Sequence, residues 1–203
     1  MTTEPPRYDA SMIEILTARE VVRRRPAMYI GPLDSDASHR LIWCAVDGLI
    51  WHYRQLGHAL EQIDVALQAD GSAVVVGYGQ QPLAAHGQRG MQQLLRKLQV
   101  FDVASSVGLF LLNALSARLT VEVCDADDLW HSFTFEQGVL LREESPSHLA
   151  ERGGEIRLTF WPDFTILEAV PFDRARTLEG LRPFADSDPA VPIDVIDAPP
   201  DTE

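Results

Sequence analysis

The chain has 203 residues, which is enough for one domain with a sizeable hydrophobic core. Its 30 acidic residues outnumber its 17 basic ones and give a formal net charge of −13, so the surface as a whole repels nucleic-acid phosphate and anionic lipid. The first ten residues lack the apolar stretch of a signal peptide and no apolar run is long enough to span a bilayer, so we expect a cytoplasmic protein whose two cysteines, Cys44 and Cys124, are buried thiols.

The N-terminal part of the chain predicts a helix that begins near Ser11. Ser11 is available as the N-cap with Glu14 three residues later, and Pro26 ends the helix. The helix runs into three arginines, Arg23 to Arg25, followed at once by the uncommon string Pro-Ala-Met-Tyr-Ile-Gly. An arginine run by itself is typical of a solvated surface, so the rarer string after it carries more information.

Residues 38–53 have the strongest helical pattern in the chain. Apolar and small residues recur on one face with the spacing i, i+3, i+4, i+7 and i+8: Leu41, Cys44, Ala45, Gly48 and Leu49. Trp43 and Trp51 make the opposite side apolar too, which predicts a helix that is enclosed on more than one side. Asp47 is a lone carboxylate in this run, and it is either partly exposed and hydrogen-bonded or the remnant of a ligand site.

The remaining segments alternate between strands and helices. Residues 63–69 alternate as a strand before the turn signal Asp70-Gly71, residues 90–101 form an amphipathic helix, and residues 105–125 form a helix and then a strand. Residues 129–144 predict a hairpin that turns at Gln137-Gly138. We expect these side chains to be buried: Leu41, Ile42, Ala45, Val46, Leu49, Val74, Val76, Leu111, Leu112, Leu115, Val121, Val123, Leu158 and Phe160.

Several of these strings occur together in one known family. The segment ILTAREVVRRRPAMYIGPLDSDASHRLIWCAVDG resembles the start of the N-terminal ATPase domain of bacterial DNA gyrase B and of its topoisomerase IV counterpart. The strings NALS, at residues 113–116, and GGEIRLTFWPD, at residues 153–163, resemble later motifs of that family in the same order. The resemblance covers roughly residues 8–163. It implies an α+β fold of the GHKL (Bergerat) type, a two-layer sandwich in which a mixed eight-stranded sheet is covered on one face by helices.

The resemblance also divides the chain. It implies an N-terminal arm over residues 1–10 and a GHKL domain over residues 11–185. In the family such an arm carries a Tyr-Asp pair and reaches the partner protomer, so Tyr8, together with Arg24 and Arg25, is a candidate interface. Residues 186–203 are rich in proline and aspartate, and we predict a disordered acidic tail there.

The central helix departs from the family at the residues that carry the chemistry. In the family a glutamate on this helix is the general base for ATP hydrolysis, and an asparagine four residues later holds Mg²⁺. The equivalent positions here are Cys44 and Gly48, while Asp47 is retained. A neutral thiol cannot orient a water molecule as a carboxylate does, and glycine offers the metal no oxygen.

The adenine and phosphate contacts of the family are also missing. The aspartate that anchors adenine aligns with Gly77 or Tyr78, and only Gly79 remains of the glycines that come after it. The glycine-rich phosphate lid reads Val103 to Gly108, in which Gly108 alone survives as a glycine. The remnants of the nucleotide site are therefore Asp47, Gly48, Gly77, Gly79, Gly108 and Asn113, and Trp43, Trp51 and Phe110 are candidates to fill the space of the nucleotide.

These losses predict a pseudo-ATPase without a catalytic residue, a cofactor or a metal. We expect a protein-binding or regulatory module directed at a type II topoisomerase subunit or at a second copy of itself, with no membrane or direct nucleic-acid partner. One alternative is a diverged protein that binds ATP and Mg²⁺ weakly, with Arg40, His52 or Gln80-Gln81 supplying contacts. Another, suggested by net charge alone, is an acidic decoy that occupies the DNA-binding surface of a partner.

Overall fold

The computed structural model describes residues 14–58, 60–79, 88–102, 106–124, 129–148, 155–186 and 190–197. These residues form helices α1 (Ala18–Arg24), α2 (Ala27–Ile30), α3 (His39–Gln55), α4 (Gln88–Gln99), α5 (Gly108–Leu115) and α6 (Arg174–Ala185). They also form strands β1 (Leu60–Leu67), β2 (Ala73–Gly79), β3 (Ser116–Cys124), β4 (Leu129–Glu136), β5 (Val139–His148), β6 (Glu155–Pro162) and β7 (Ile193–Asp197).

The strands form a single mixed sheet in the order β5-β4-β3-β6-β2-β1-β7. All neighbours are antiparallel except β1 and β7, which are parallel. One row of directly paired residues crosses six of the strands and is buried throughout: Val195, Val65, Val75, Leu158, Val121 and Phe133. Because side chains alternate between the two faces of a strand, this row marks the face of the sheet that carries the core.

The helices contact one another and the sheet through that core. Helix α3 packs on β1 and β2, α5 packs on β3 and against α3, and α6 packs against α3 and β7. The opposite face of the sheet is more polar, with Arg118 over the ring of Trp161 and Arg157 over that of Trp130. The predicted α+β sandwich is confirmed, although the described residues form seven strands where eight are expected.

The N-terminal helix begins later than its sequence predicts. Its N-cap is Thr17, whose hydroxyl oxygen accepts a hydrogen bond from the backbone N–H of Glu20 while the Glu20 carboxylate accepts one from the Thr17 N–H. The helix thus begins with a capping box, but at Thr17 and Glu20 instead of the predicted Ser11 and Glu14, and Glu14 lies before the helix. Ser11 itself is outside the described residues. The helix ends before Pro26, as predicted.

The central helix α3 is confirmed over nearly its predicted length, but it is not enclosed on all sides. Trp43 is 42% exposed and Trp51 is 41% exposed. The Trp43 ring makes an edge-to-face contact with Phe184 of α6, with ring centroids 5.7 Å apart. Apart from Val74, which is half-buried, every predicted core side chain is buried.

The C-terminal segment is the second correction. Residues 193–197, predicted to belong to a disordered tail, form strand β7 beside β1, and Val195 is buried. Backbone hydrogen bonds to the parallel strand β1, together with the burial of Val195, hold this short acidic segment in place as an edge strand. Residues 198–203 lie outside the described residues. Among the described residues, no helix is both long enough and apolar enough to cross a membrane.

Candidate functional site

The residues that mark the family's nucleotide site lie along one face of α3. Cys44, Asp47, Gly48 and Trp51 follow one another at helical spacing, so they share this face. The beginning of α5 lies directly over its first part, and the end of β2 lies against the second half of the same helix. The structure therefore brings Cys44, Asp47, Gly48 and Gly108 together. Gly77 and Gly79, at the end of β2, lie against a later part of α3.

Cys44 occupies the position of the family's general base. Burial raises the pKa of its thiol to about 12, and the nearby Asp47 carboxylate acts in the same direction. The thiol is therefore protonated at neutral pH and is neither a base nor a metal-binding thiolate. Its backbone carbonyl oxygen faces Gly108, where a Cβ atom would collide with it.

Gly48 occupies the position of the family's Mg²⁺-holding asparagine, and its side-chain space is already filled. A Cβ atom built on Gly48 would lie 2.5 Å from Cγ and 2.8 Å from Cδ2 of Leu109, and 3.1 Å from the Leu109 backbone nitrogen. Leu109 is fully buried. An asparagine at residue 48 therefore has no room unless the Leu109 side chain is removed or the beginning of α5 shifts away from α3.

Asp47, the retained carboxylate, joins the two helices. Its Oδ2 accepts a hydrogen bond from the Ser106 hydroxyl, and the Ser106 Oγ accepts one from the backbone N–H of Gly108 at 3.1 Å. The carboxylate thus supports the first turn of α5, where a negative charge is favourable. The alternative of a hydrogen-bonded, partly exposed Asp47 fits this arrangement.

The end of β2, where the family anchors adenine, is covered by Tyr53 of α3. A Cβ on Gly79 would collide with the Tyr53 ring, and one on Gly77 would lie 3.3 Å from Leu49 Cδ1 and 3.5 Å from Tyr53 Cε2. The Tyr53 hydroxyl donates a hydrogen bond to the Gly77 carbonyl oxygen at 3.2 Å, and the residue is 1% exposed. The ring therefore lies directly against the two glycines.

Asn113, the last predicted remnant, is separated from this group. Its side-chain amide donates hydrogen bonds to the carbonyl oxygens of Leu98 at 2.9 Å and Gly138 at 3.4 Å. These bonds tie α5 to the end of α4 and to the β4–β5 turn, so Asn113 holds the fold together from the other side of α5. The predicted Gln137-Gly138 turn is confirmed, with positive φ at both residues.

Trp43 and Phe110, which were expected to fill the nucleotide space, pack against other aromatic side chains instead. Trp43 packs against α6, and Phe110 packs edge-to-face on Phe101, with centroids 5.3 Å apart. Trp43 and Trp51 are each four residues from Asp47 on α3, and both remain more than 40% exposed. The filling side chains are instead Leu109 and Tyr53, which sequence reasoning missed.

The candidate replacement contacts are engaged elsewhere or lie outside the described residues. Arg40 donates hydrogen bonds to the Pro32 carbonyl oxygen and, at 2.7 Å, to Asp34 Oδ1. His52 is fully buried, with its Nδ1 3.4 Å from the Lys97 ammonium. Gln80, Gln81 and residues 103–105 are not described.

The predicted interface residues differ in exposure. Arg24 is exposed and forms a bidentate pair with Glu14, at 2.7 and 2.5 Å, and Arg25 is exposed as well. Arg23 is instead a structural residue, since its guanidinium donates to the Ala114 carbonyl oxygen at 2.8 Å and to Asp163 Oδ2 at 2.6 Å. Tyr8 lies outside the described residues.

These residues do not fit a magnesium nucleotide by the family's chemistry. Residue 44 supplies no carboxylate, residue 48 supplies no oxygen, and Leu109 stands in the space where a ligand to the metal would project. Within the described ranges, no three His, Cys, Asp or Glu side chains converge as a metal site would require. The contacts at this face have a structural role, because they hold α5 and β2 against α3.

The chain is similar in sequence to DNA gyrase B proteins from several organisms, although no family model matches it. It is 35% identical over 212 residues to DNA gyrase B of Haloferax volcanii, an alignment that covers 94% of this chain and 32% of that protein. It is 29% identical to DNA gyrase B of Campylobacter jejuni, and that alignment covers 94% of this chain and 26% of the relative. It is 32% identical to the mitochondrial DNA gyrase B of Arabidopsis thaliana, and that alignment covers 95% of this chain and 29% of the relative.

A solved structure is similar as well. The 43K ATPase domain of Thermus thermophilus gyrase B, crystallised with an aminocoumarin, has a TM-score of 0.66 and 29% identity, covering 81% of this chain and 44% of that one. The chain thus spans about a third or less of the length of the three relatives named above.

Proposed function

Because this chain is homologous to the GHKL ATPase domain of DNA gyrase B, we propose that it is a pseudo-ATPase that uses the scaffold as a protein-binding, regulatory module. Its partner is a type II topoisomerase subunit or a second copy of the chain. The proposal concerns this domain alone, since the chain corresponds to only part of its relatives.

The observation that carries the proposal is the contact between Leu109 and Gly48. Loss of a side chain can leave a cavity that a ligand still enters, but here a buried leucine occupies the space, with its Cγ 2.5 Å from the position of the missing Cβ. Tyr53 fills the corresponding space at Gly79. The two ends of the family's site are therefore packed by core side chains, which favours a structural role for this face of α3 over a catalytic one.

The exposed basic surface supports a protein partner. Arg24 and Arg25 lie beside one another on α1 and its C-cap, and both are exposed. Ile15, just before this helix, is 92% exposed and Met28, just after it, is 70% exposed. Exposed methionine, isoleucine and arginine side chains around one short helix are residue types that contact surfaces favour.

The first experiment is isothermal titration of the protein with Mg²⁺-ATP and with a non-hydrolysable analogue. The ATPase domain of Thermus gyrase B serves as the positive control for the assay. The proposal predicts no saturable heat for this protein. Saturable binding would contradict it and support the diverged ATP-binding protein, with Asp47 as the residue to mutate next.

The structure also changes how the site would be rebuilt. The double variant Cys44→Glu/Gly48→Asn keeps Leu109 and so leaves no room for the new amide, whereas adding Leu109→Ala removes the obstruction. We expect the double variant to be destabilised and the triple variant to recover part of that loss. Sedimentation velocity at two protein concentrations separates self-association from a foreign partner, and binding to a basic partner that weakens with salt would point to the acidic decoy.

A further inference from the structure

A cleft of about 440 Å³ lies between the first turn of α3 and helix α6. Its walls include Trp43 and Leu181, and its rim carries Arg176 and Glu179. The volume lies in the range of sites that hold small organic molecules. Neither the family chemistry nor the proposed function uses this cleft.

Three consecutive residues beside the cleft have unsatisfied polar atoms. Ser38 Oγ, His39 Nδ1 and Arg40 Nε are each buried without a hydrogen-bond partner, and His39 and Arg40 line the cleft. Ser38 is 1% exposed and His39 is 8% exposed. Buried polar atoms are nearly always paired in folded proteins, so three in a row indicate a missing acceptor.

The tautomer of His39 makes its free nitrogen a donor. His39 Nε2 accepts a hydrogen bond from the backbone N–H of Asp173 at 2.8 Å, so the proton of the neutral ring is on Nδ1. Burial lowers the pKa of His39 and keeps the ring neutral, against smaller opposing effects from Asp36, Asp173 and the Ser35 backbone. By distance and angle, neither Nδ1–H of His39 nor Nε–H of Arg40 has an acceptor among the described residues, and the Ser35 backbone contributes only weakly at the His39 ring.

The start of α3 adds a positive end to these donors. Its N-cap Ser38 makes no capping hydrogen bond through its side chain, and its first turn contains no acidic residue. The backbone N–H groups of Arg40 and Leu41 donate to the carbonyl oxygens of Asp36 and Ser38, so this helix of 17 residues offers the cleft the positive end of its dipole rather than free N–H groups. An oxyanion in the cleft would accept hydrogen bonds from the two side-chain donors and would lie near this positive end of the helix.

The side chains that line the cleft indicate which chemical group the ligand carries beside its oxyanion. Trp43, which is 42% exposed, and Gly180 both line the cleft, and nothing lies within 4 Å of the position that a methyl carbon on Gly180 would take. A planar apolar group fits between them. Asp36, paired with Arg176 at 3.1 Å, and Glu179 disfavour a dianion, so a carboxylate fits better than a phosphate.

We propose that this cleft binds a small aromatic carboxylate, with its carboxylate at the first turn of α3 and its ring between Trp43 and Gly180. The carboxylate accepts hydrogen bonds from His39 and Arg40, directly or through one ordered water molecule. The cleft adjoins the Asp47 face through Arg40, but binding of a carboxylate there requires no nucleotide site, so its test is separate from that of the pseudo-ATPase proposal.

The test is a titration of the ¹⁵N-labelled protein with benzoate, followed by amide chemical shifts. We expect saturable shifts in residues 36–43 and 176–181 with a Kd of about 1 mM, and at least about tenfold weaker binding of benzamide, acetate and phenyl phosphate. Equal binding of benzamide and benzoate would overturn the oxyanion site. An absence of shifts in these segments would mean that the cleft holds only water, which would refute the proposal.

Two matched variants locate the ligand. Gly180→Leu fills the cleft at an exposed position and should weaken benzoate binding at least about tenfold. Ala175→Leu is on the same helix and is also exposed, but it lines a different groove and should leave binding unchanged. Unchanged binding in Gly180→Leu would place the ligand elsewhere and refute the proposal, and the amide spectrum of each variant reports its fold directly.

Discussion

Lys97 is the only lysine in the chain and is buried, which allows a direct test of the packing between α3 and α4. It is 8% exposed, and its ammonium group lies 3.4 Å from His52 Nδ1. It forms no ion pair with any of the described residues. Burial lowers its pKa from 10.5 to about 8. Replacing Lys97 with methionine, which nearly keeps the length of the side chain, removes the buried charge.

The size of the effect follows from the pKa. A shift from 10.5 to about 8 is about 2.5 pH units, or about 3.4 kcal/mol at about 1.36 kcal/mol per unit. Residual hydration of the ammonium and the lost contact with His52 both reduce the gain, so we expect Lys97→Met to stabilise the protein by about 2 kcal/mol at pH 7.

The pH dependence distinguishes this mechanism from simple repacking. Because the folded state lowers the pKa of Lys97, the unfolded chain binds more protons at this residue between pH 8 and 10.5, and the contribution of Lys97 to stability rises with pH in that window. The penalty is complete below pH 8 and is nearly gone at pH 10.5. At pH 9.5 about 1.4 of the 3.4 kcal/mol remains, so the advantage of Lys97→Met should fall by more than half.

Urea denaturation at pH 7 and pH 9.5 measures both quantities. Arg96→Met is the control, because Arg96 precedes Lys97 on the same helix and is exposed, so its replacement should change stability by less than about 0.5 kcal/mol. Reductive ¹³C-methylation labels Lys97 and the N-terminal amine, and the methyl signal that is lost in Lys97→Met belongs to Lys97 and should titrate near pH 8. A midpoint near 10.5, or a Lys97→Met variant that is less stable at pH 7, would refute the reasoning.

Three further predictions concern the contacts of the remodelled face and its supports. Gly48→Ala should destabilise the protein by about 1–3 kcal/mol in urea denaturation because its Cβ has no room, whereas Gly180→Ala, with open space, should stabilise it by about 0.5–1 kcal/mol through helix propensity. A stabilising Gly48→Ala would contradict the packing of Leu109 on α3. Arg23→Met should cost about 3 kcal/mol, because it leaves a carboxylate that is 2% exposed without its cation, while Arg24→Met, in an exposed pair, should cost less than about 0.5 kcal/mol. An equal loss of stability in Arg23→Met and Arg24→Met would show that the Arg23–Asp163 ion pair does not stabilise the fold. Iodoacetamide should modify Cys44 at least about tenfold more slowly than a free thiol at pH 8, because burial raises the pKa of the Cys44 thiol, and peptide mass spectrometry measures the rate. Modification at the rate of a free thiol would mean that this face of α3 is open.

The candidate site was partly readable from the sequence because its losses are losses of residue type. Cys44 and Gly48 lack a carboxylate and an amide whatever their surroundings. The absence of the family's base and metal ligand at these positions could therefore be inferred from the sequence alone. The identity of the side chains that fill the space could not be read in this way. Leu109 and Tyr53 belong to helices that meet only in the folded state, and each looks like an ordinary core residue in its own helix.

The expectation for the aromatic residues failed for a related reason. Trp43 and Trp51 sit in a strongly apolar run, which predicted burial, but helical periodicity fixes only the face on which a residue lies, not whether another layer covers it. Which layer covers Trp43 depends on α6, more than 130 residues later in the chain.

The sequence alone determined the fold class and most of the core, since hydrophobic periodicity is local and survives the loss of function. The position of α3, the hairpin turns at Asp70-Gly71 and Gln137-Gly138, and the motif order all depend on neighbouring residues. The tertiary structure decided the long-range pairings. Strand β7 exists because β1 offers it an edge, and Leu109 closes the space at Gly48 because α5 packs on α3. Such contacts depend on where distant segments meet, and a sequence read locally does not contain that information.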